Sequence, residues 1–154
     1  MPQQFQSNQN GCSTCEINYL FVDGCLLKMG SHQPTNLNMT WNPLTAASEI
    51  DAIIERSHQV PCVILKHSTR CSISFMALHR LEATWKFSPT QLEPFFLDLI
   101  RYRNISDEIA SRFEVFHESP QILLIRNGDC ILDASHLDIS VDEIKEVLAF
   151  EGQF

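Results

Sequence analysis

From Met39 onward the apolar positions alternate between helical and strand spacing. A helix beginning near Thr45 or Ser48, either a suitable N-cap, puts Ile50, Ile53 and Ile54 on one face. Cys62–Lys66 follows Pro61 as a continuous apolar run, the pattern of a strand covered on both faces. A second helix is predicted from about Ser72 to Trp85, with Ile73, Ala77, Leu81 and Trp85 in one row. Phe95–Tyr102 reads as the next strand, entered after Pro94. Ile105, Ile109, Phe113 and Phe116 mark a third helix, capped at Asn104 or Ser106. Gln121–Arg126 and Cys130–Ala134 flank Asn127-Gly128-Asp129, and an Asn-Gly turn between apolar runs signals a hairpin. The last helix opens on the capping box Ser140-Val141-Asp142-Glu143 and buries Val141, Ile144, Val147 and Leu148.

The predicted order is therefore α-β-α-β-α-β-β-α. Strand–helix alternation implies parallel pairing through right-handed crossovers, and the terminal hairpin adds an antiparallel edge. That order is the thioredoxin-like α/β fold, with a central mixed four-stranded sheet flanked by helices. Residues 1–38 differ: rich in Gln, Asn, Ser and Gly, they carry only Glu16, Asp23 and Lys28 as charges and show no sustained periodicity. They read as a flexible extension ahead of a domain spanning 39–154. Met39 is a candidate native start.

Composition narrows the function classes. A chain of 154 residues, 44% hydrophobic and 19% charged, suits one globular domain with a full core. A net charge of −8 argues against nucleic acid or an anionic membrane as the main partner, since both reward a basic patch. The first ten residues lack the positive start of a signal peptide, and Ile17–Leu27 is too short and interrupted to span a bilayer. A cytoplasmic location is the expectation, with the six cysteines reduced by default.

Candidate chemistry centres on Cys71, in KHSTRCSIS at residues 66–74. It stands where a strand hands over to a helix, so unpaired N–H groups and the helix dipole favour its thiolate, the form that attacks disulfides. Arg70 beside it acts in the same sense when folded toward the sulfur. Ser74, one turn on, occupies the place of a resolving cysteine. Its hydroxyl can hydrogen-bond the sulfur but cannot form a disulfide, so the site is expected to run monothiol chemistry. Ser119-Pro120 comes just before the strand at Gln121. An X-Pro bond at this point of a thioredoxin-like fold is usually cis and faces the catalytic cysteine. Ser119-Pro120 is therefore expected to be cis and to offer the Ser119 backbone to an extended substrate; the alternative is a proline that merely enters the strand.

Four stretches, KHSTRCSIS, FFLDLIRYRNIS, HESPQILLIRNG and DASHLDIS, occur in order and span most of residues 39–142. Together they resemble the monothiol bacilliredoxins of the YtxJ (BrxC) type. The resemblance implies a thioredoxin-like oxidoreductase that removes bacillithiol caps from oxidised proteins, with Cys71 as nucleophile. Thr69, Arg70, Ser72 and Ser74 would complete the active-site loop. Ser72 stands where the family's T-C-P-I-S motif often has proline; a proline there pre-organises the helix, so its absence bears on the reactivity of the thiol. Expected partners are S-bacillithiolated proteins or other redoxins, with bacillithiol or a similar low-molecular-weight thiol as co-substrate. No metal or resident cofactor is expected, and the chain is expected to be a monomer.

The other candidates carry less. Cys130 reads as a half-buried strand residue or a distal resolving thiol, and Cys62 as core. Cys12-Ser13-Thr14-Cys15, with Cys25 and His32, has the residue types of a zinc site but lacks the strand and helix that frame a redox C-x-x-C. His136 either contacts the carboxylates of a bound thiol or caps local backbone. Two rival functions stay open from sequence. Cys-Ser-Ile-Ser resembles the C-G-F-S of monothiol glutaredoxin-like iron–sulfur carriers, and a redox-inert adaptor would keep an unactivated Cys71.

Overall fold

The computed structural model describes residues 39–151, together with the backbone of a short hairpin. That hairpin pairs β1 (Leu20–Val22) antiparallel to β2 (Cys25–Leu27). No strand was expected there, although the intervening Asp23-Gly24 is a two-residue hairpin signal. By backbone contacts the chain separates into two units, Met1–Pro34 and Thr35–Phe154. Apart from that hairpin, the expected flexible extension, with Cys12, Cys15 and His32, lies outside the described residues.

The second unit is an α/β domain. Its strands are β3 (Asn42–Pro43), β4 (Cys62–His67), β5 (Glu93–Asp98), β6 (Gln121–Arg126) and β7 (Asp129–Ser135). Its helices are α1 (Ser48–Ser57), α2 (Ser72–Thr84), α3 (Arg103–Arg112) and α4 (Val141–Glu151). The sheet order is β3-β5-β4-β6-β7, with β3, β5 and β4 parallel and β6 and β7 antiparallel. It is thus five-stranded rather than four, because two residues before α1 pair with Phe95 and Phe96.

β4 lies at the centre and is buried along its whole length. Its pleat divides the core. Val63 and Leu65 face Ala77 and Leu81 of α2 and Ile144 of α4, whereas Cys62 and Ile64 face Ile50 and Ile53 of α1 and Ile105 and Ile109 of α3. Covering both faces explains why no polar position interrupts the run Cys62–Leu65. The hairpin turn fits its residues: Asn127 and Gly128 have φ of 54° and 89°, as a type I′ turn requires.

Several boundaries differ from the sequence reading. β5 is Glu93–Asp98, not Phe95–Tyr102, because Asp98 Oδ1 accepts from the N–H groups of Ile100 and Arg101 and turns the chain. Pro94 is tolerated inside β5. Glu93 and Leu99 donate their N–H groups to the Pro61 and His67 carbonyls on the β4 side, so residue 94 faces the β3 side, ahead of the first β3 pair. α3 ends at Arg112, and Glu114 adopts φ 54°, so Phe116 leaves the helical row and is 91% exposed. Neither Asn104 nor Ser106 caps α3; Tyr102 holds that position and Ser106 is buried within the helix. α1 is capped by neither Thr45 nor Ser48. Instead Glu49 reaches back to accept from the N–H groups of Thr45 and Ala46 at 2.6 and 2.8 Å. Among the described residues, no helix is long and apolar enough to cross a membrane.

Candidate active site

β4 ends at His67 and the chain turns sharply before α2. The Cys71 N–H donates to the Ser68 carbonyl at 3.2 Å, leaving Thr69 and Arg70 exposed at the tip. Cys71 is the N-cap of α2, with extended dihedrals of −116° and 119°, and its carbonyl accepts the first helical bond, from Phe75 N–H. Its thiol is free and partly exposed. The sulfur makes no capping hydrogen bond to the helix. Ser72 is exposed on the first turn, and Arg70 forms no ion pair among the described residues.

Ser74 serves the loop rather than the sulfur. It is fully buried, its Oγ accepts from Ser68 N–H at 2.9 Å, and the same oxygen pairs with His67 Nδ1 at 3.1 Å. One hydroxyl therefore ties the end of β4 and the loop to the first turn of α2. His67 is itself buried, with its ring edge-on to Phe75 at 5.0 Å and beside Phe96 at 5.3 Å. Burial lowers its pKa below the ordinary imidazole value, despite the opposing pull of Asp98 and Glu82. A neutral ring can accept the Ser74 hydroxyl proton at Nδ1 while Ser74 Oγ accepts from Ser68.

That environment predicts an acid sensitivity. His67 and His117 both have pKa values depressed chiefly by burial. Below about pH 6.5, the unfolded imidazole value, the unfolded chain takes up protons that the native rings refuse. Stability is therefore expected to fall as pH drops through that value, and to be independent of these rings above it. Urea-unfolding midpoints at pH 7.5, 6.5 and 5.5 test this; an unchanged midpoint between pH 7.5 and 5.5 would contradict it.

The antiparallel partner β6 brings the second loop to the same end of the sheet. Lys66 pairs with Gln121, so the Ser119-Pro120 bond, which is cis as expected, lies at the end of β4 that leads to Cys71. The Pro120 carbonyl accepts from His136 N–H at 3.0 Å, bringing the end of β7 alongside. His136 is exposed with φ 54°, and Arg80 of α2 holds the carbonyls of His136, Leu137 and Ile139 at 3.2, 3.2 and 2.9 Å. Arg80 was not singled out from sequence, yet it pins the helix of Cys71 to the β7–α4 loop. The Ser119 hydroxyl is buried and has no hydrogen-bond partner among the described residues.

The remaining described cysteines sit elsewhere. Cys62 and Cys130 flank Ile125 at the opposite end of the sheet, and five strand steps of ~3.3 Å separate Cys62 from His67 alone. A disulfide needs Cα atoms within about 7 Å, so neither can resolve a bond on Cys71 in this fold. Burial raises their thiol pKa values to about 12 and about 11, which also keeps them protonated. Among the described residues, no group of three or more His, Cys, Asp or Glu side chains is placed to hold a metal.

Comparison with known proteins agrees with this arrangement. A candidate oxidoreductase with a thioredoxin fold is 27% identical, with a TM-score of 0.59, covering 68% of this chain and 90% of that one. Thioredoxin from Trypanosoma brucei brucei, 14% identical, superposes with a TM-score of 0.56 over 83% of this chain and all of its own. Oxidised thioredoxin from Plasmodium falciparum, also 14% identical, gives 0.53 over 73% and 98%; the last two bear on the fold alone. The family described as monothiol bacilliredoxin BrxC matches residues 42–144, the span that carries both loops, the cis proline and a single thiol at the head of α2. The chain belongs to that family, whose fold neighbours and lone helix-cap thiol mark it as a thiol oxidoreductase of thioredoxin-like fold.

Proposed function

We propose that the protein removes bacillithiol, or a similar small thiol, from mixed disulfides on proteins and partner redoxins. The Cys71 thiolate attacks the sulfur of the cap, forming a Cys71–cap disulfide as the protein–cap bond breaks and the protein leaves as a thiolate. A second small thiolate then attacks the cap sulfur. This gives a symmetric small-molecule disulfide and returns Cys71 as a thiolate. The observation that carries this reading is the isolation of Cys71: the residue one turn on is Ser74, which cannot form a disulfide, and the other described thiols lie at the far end of the sheet. The reaction is proposed to occur in the cytoplasm, on a monomer, with no resident cofactor.

A protein rather than a free disulfide as substrate is supported by the surface around Cys71. Ile73, Phe75, Met76, Ile100, Phe116 and Leu137 are large exposed hydrophobics, and each belongs to α2's first turns or to a loop at the Cys71 end of the sheet. Exposed apolar side chains gathered in one region mark an interaction surface. Phe116→Ser with Met76→Ser is expected to raise KM for a capped protein by about tenfold, from lost apolar burial. Exchange with a small disulfide should be unchanged, and equal loss on both substrates would count against a protein-binding collar.

Intact mass after incubation with bacillithiol disulfide, and separately with glutathione disulfide, tests the main reading. One adduct mapped to Cys71 is expected, with bacillithiol the faster donor. Rapid conversion to a Cys71–Cys130 disulfide would mean a dithiol enzyme and would overturn it.

A further inference from the structure

β4 ends in two polar residues that are both buried, Lys66 at 0% and His67 at 1% exposure, and the pleat sends them to opposite faces of the sheet. His67 is explained by Ser74 and the Cys71 loop. Lys66 lies on the α3 face, among groups that contribute little to holding an ammonium there. Asp107 attracts it, Arg103 opposes it, and burial dominates, bringing its pKa down to about 8. An apolar side chain would fill the same place without that desolvation cost. What Lys66 supplies is therefore arrangement.

Its hydrogen bond shows what is arranged. Lys66 Nζ donates to Gln121 Oε1 at 2.8 Å, the side chain of its register partner on β6. Gln121 is also buried, and its amide reaches back over the preceding loop. Oε1 accepts from Glu118 N–H at 3.3 Å, and Nε2 donates to the Phe116 carbonyl at 2.8 Å. One side chain thus holds the loop at two points on the approach to Ser119-Pro120. The ammonium fixes which end of the amide is the oxygen; a reversed amide would set like groups against each other at all three contacts.

We infer that Lys66 is a positioning residue for exchange at Cys71, acting through Gln121 to fix the Phe116–Pro120 loop on which the substrate chain lies. The inference rests on the proposed reaction with protein-borne disulfides. It separates the work of β4's last two residues: His67 sets the nucleophile loop, and Lys66 sets the substrate loop.

The test uses the full chain with Lys66→Met, Gln121→Met and the double variant. The substrate is a small protein bearing one glutathione- or bacillithiol-capped cysteine, and iodoacetamide probes Cys71 without engaging the substrate loop. Each single variant is expected to raise KM for decapping about tenfold, with kcat changed far less. The double variant should be no worse than either single one, because both break the same link. Alkylation of Cys71 should stay within about twofold of the parent rate, since a structural role alone would move both reactions. Unchanged decapping in Lys66→Met, or additive losses in the double variant, would overturn the inference. If Lys66→Met does not fold, the amide exchange rate of Glu118 in Lys66→Gln decides: faster exchange than in the parent supports the link, and an unchanged rate refutes it. If the parent protein fails to decap, the proposed function fails by itself, and Glu118 exchange in Lys66→Met still reports whether Lys66 holds the loop.

Discussion

Replacing Cys71 by serine is expected to lower decapping to background, a loss of at least about a thousandfold, the scale on which a missing nucleophile leaves only binding and environment. A hydroxyl in the same place stays protonated at neutral pH and attacks no disulfide. No other described thiol can take over. Cys62 and Cys130 are held at the far end of the sheet, and burial keeps them as thiols up to about pH 12 and about pH 11. Cys130→Ser is accordingly expected to exchange at the parent rate. Stopped-flow decapping of a single-cysteine mixed disulfide measures both variants. Residual activity in Cys71→Ser above a few per cent would mean that another thiol reaches the substrate.

The parts of this fold that were legible in sequence are those with a repeated apolar pattern. β4, α2, β6 and α4 each carry enough periodic positions to declare their type, and the Asn127-Gly128 turn declares the hairpin. β3 was hidden because Asn42-Pro43 has no apolar pattern; it is a strand only because the β5 edge at Phe95 and Phe96 accepts it. Phe116 misled for the opposite reason. Its spacing continues the α3 row, but Glu114 has already left the helix, so the side chain is exposed beside the site instead of buried under it. Ile73 is similar: it begins the α2 row but is 47% exposed, at the turn of the helix that follows the end of β4.

Cys71 and Ser74 follow from element order, because they open the helix after a strand, and the cis Ser119-Pro120 bond follows from what is usual at that point of a thioredoxin-like fold. The partners of Ser74 did not follow. A hydroxyl one turn after a cysteine suggests a contact with the sulfur, whereas the folded chain engages it with His67 and Ser68. A usable signal for Lys66 and His67 was present. A strand covered on both faces buries its polar residues too, so polar side chains at the end of Cys62–Leu65 had to find partners within the protein. Which partners they would find depended on the register with β6, which periodicity does not specify.

Ser74→Cys is expected to convert the site from one that stores a cap into one that expels it. Cys71 and residue 74 are the N-cap and N3 positions of α2, one turn apart. In a capping box the side chains at these positions each reach the other residue's backbone N–H, so a thiol at 74 that rotates away from His67 is expected to reach Cys71. After attack by Cys71, the new thiol can displace the cap and leave an internal disulfide. The parent should gain the mass of one cap, whereas the variant should end two hydrogens lighter than its reduced form. The change also has a structural cost. Sulfur is a weak acceptor, so Ser68 N–H loses its 2.9 Å bond and His67 Nδ1 loses its hydroxyl partner. With both groups buried, the reduced variant should be less stable by about 1–3 kcal/mol. Mass spectrometry during exchange and denaturant unfolding under reducing conditions read the two effects separately. A lasting adduct on Cys71 with no internal disulfide would show that position 74 is turned from the sulfur in solution, and that the monothiol character does not depend on serine there. The opposite result, prompt cap release with the stability loss, would show that a single oxygen at this position both braces the loop and makes the enzyme monothiol.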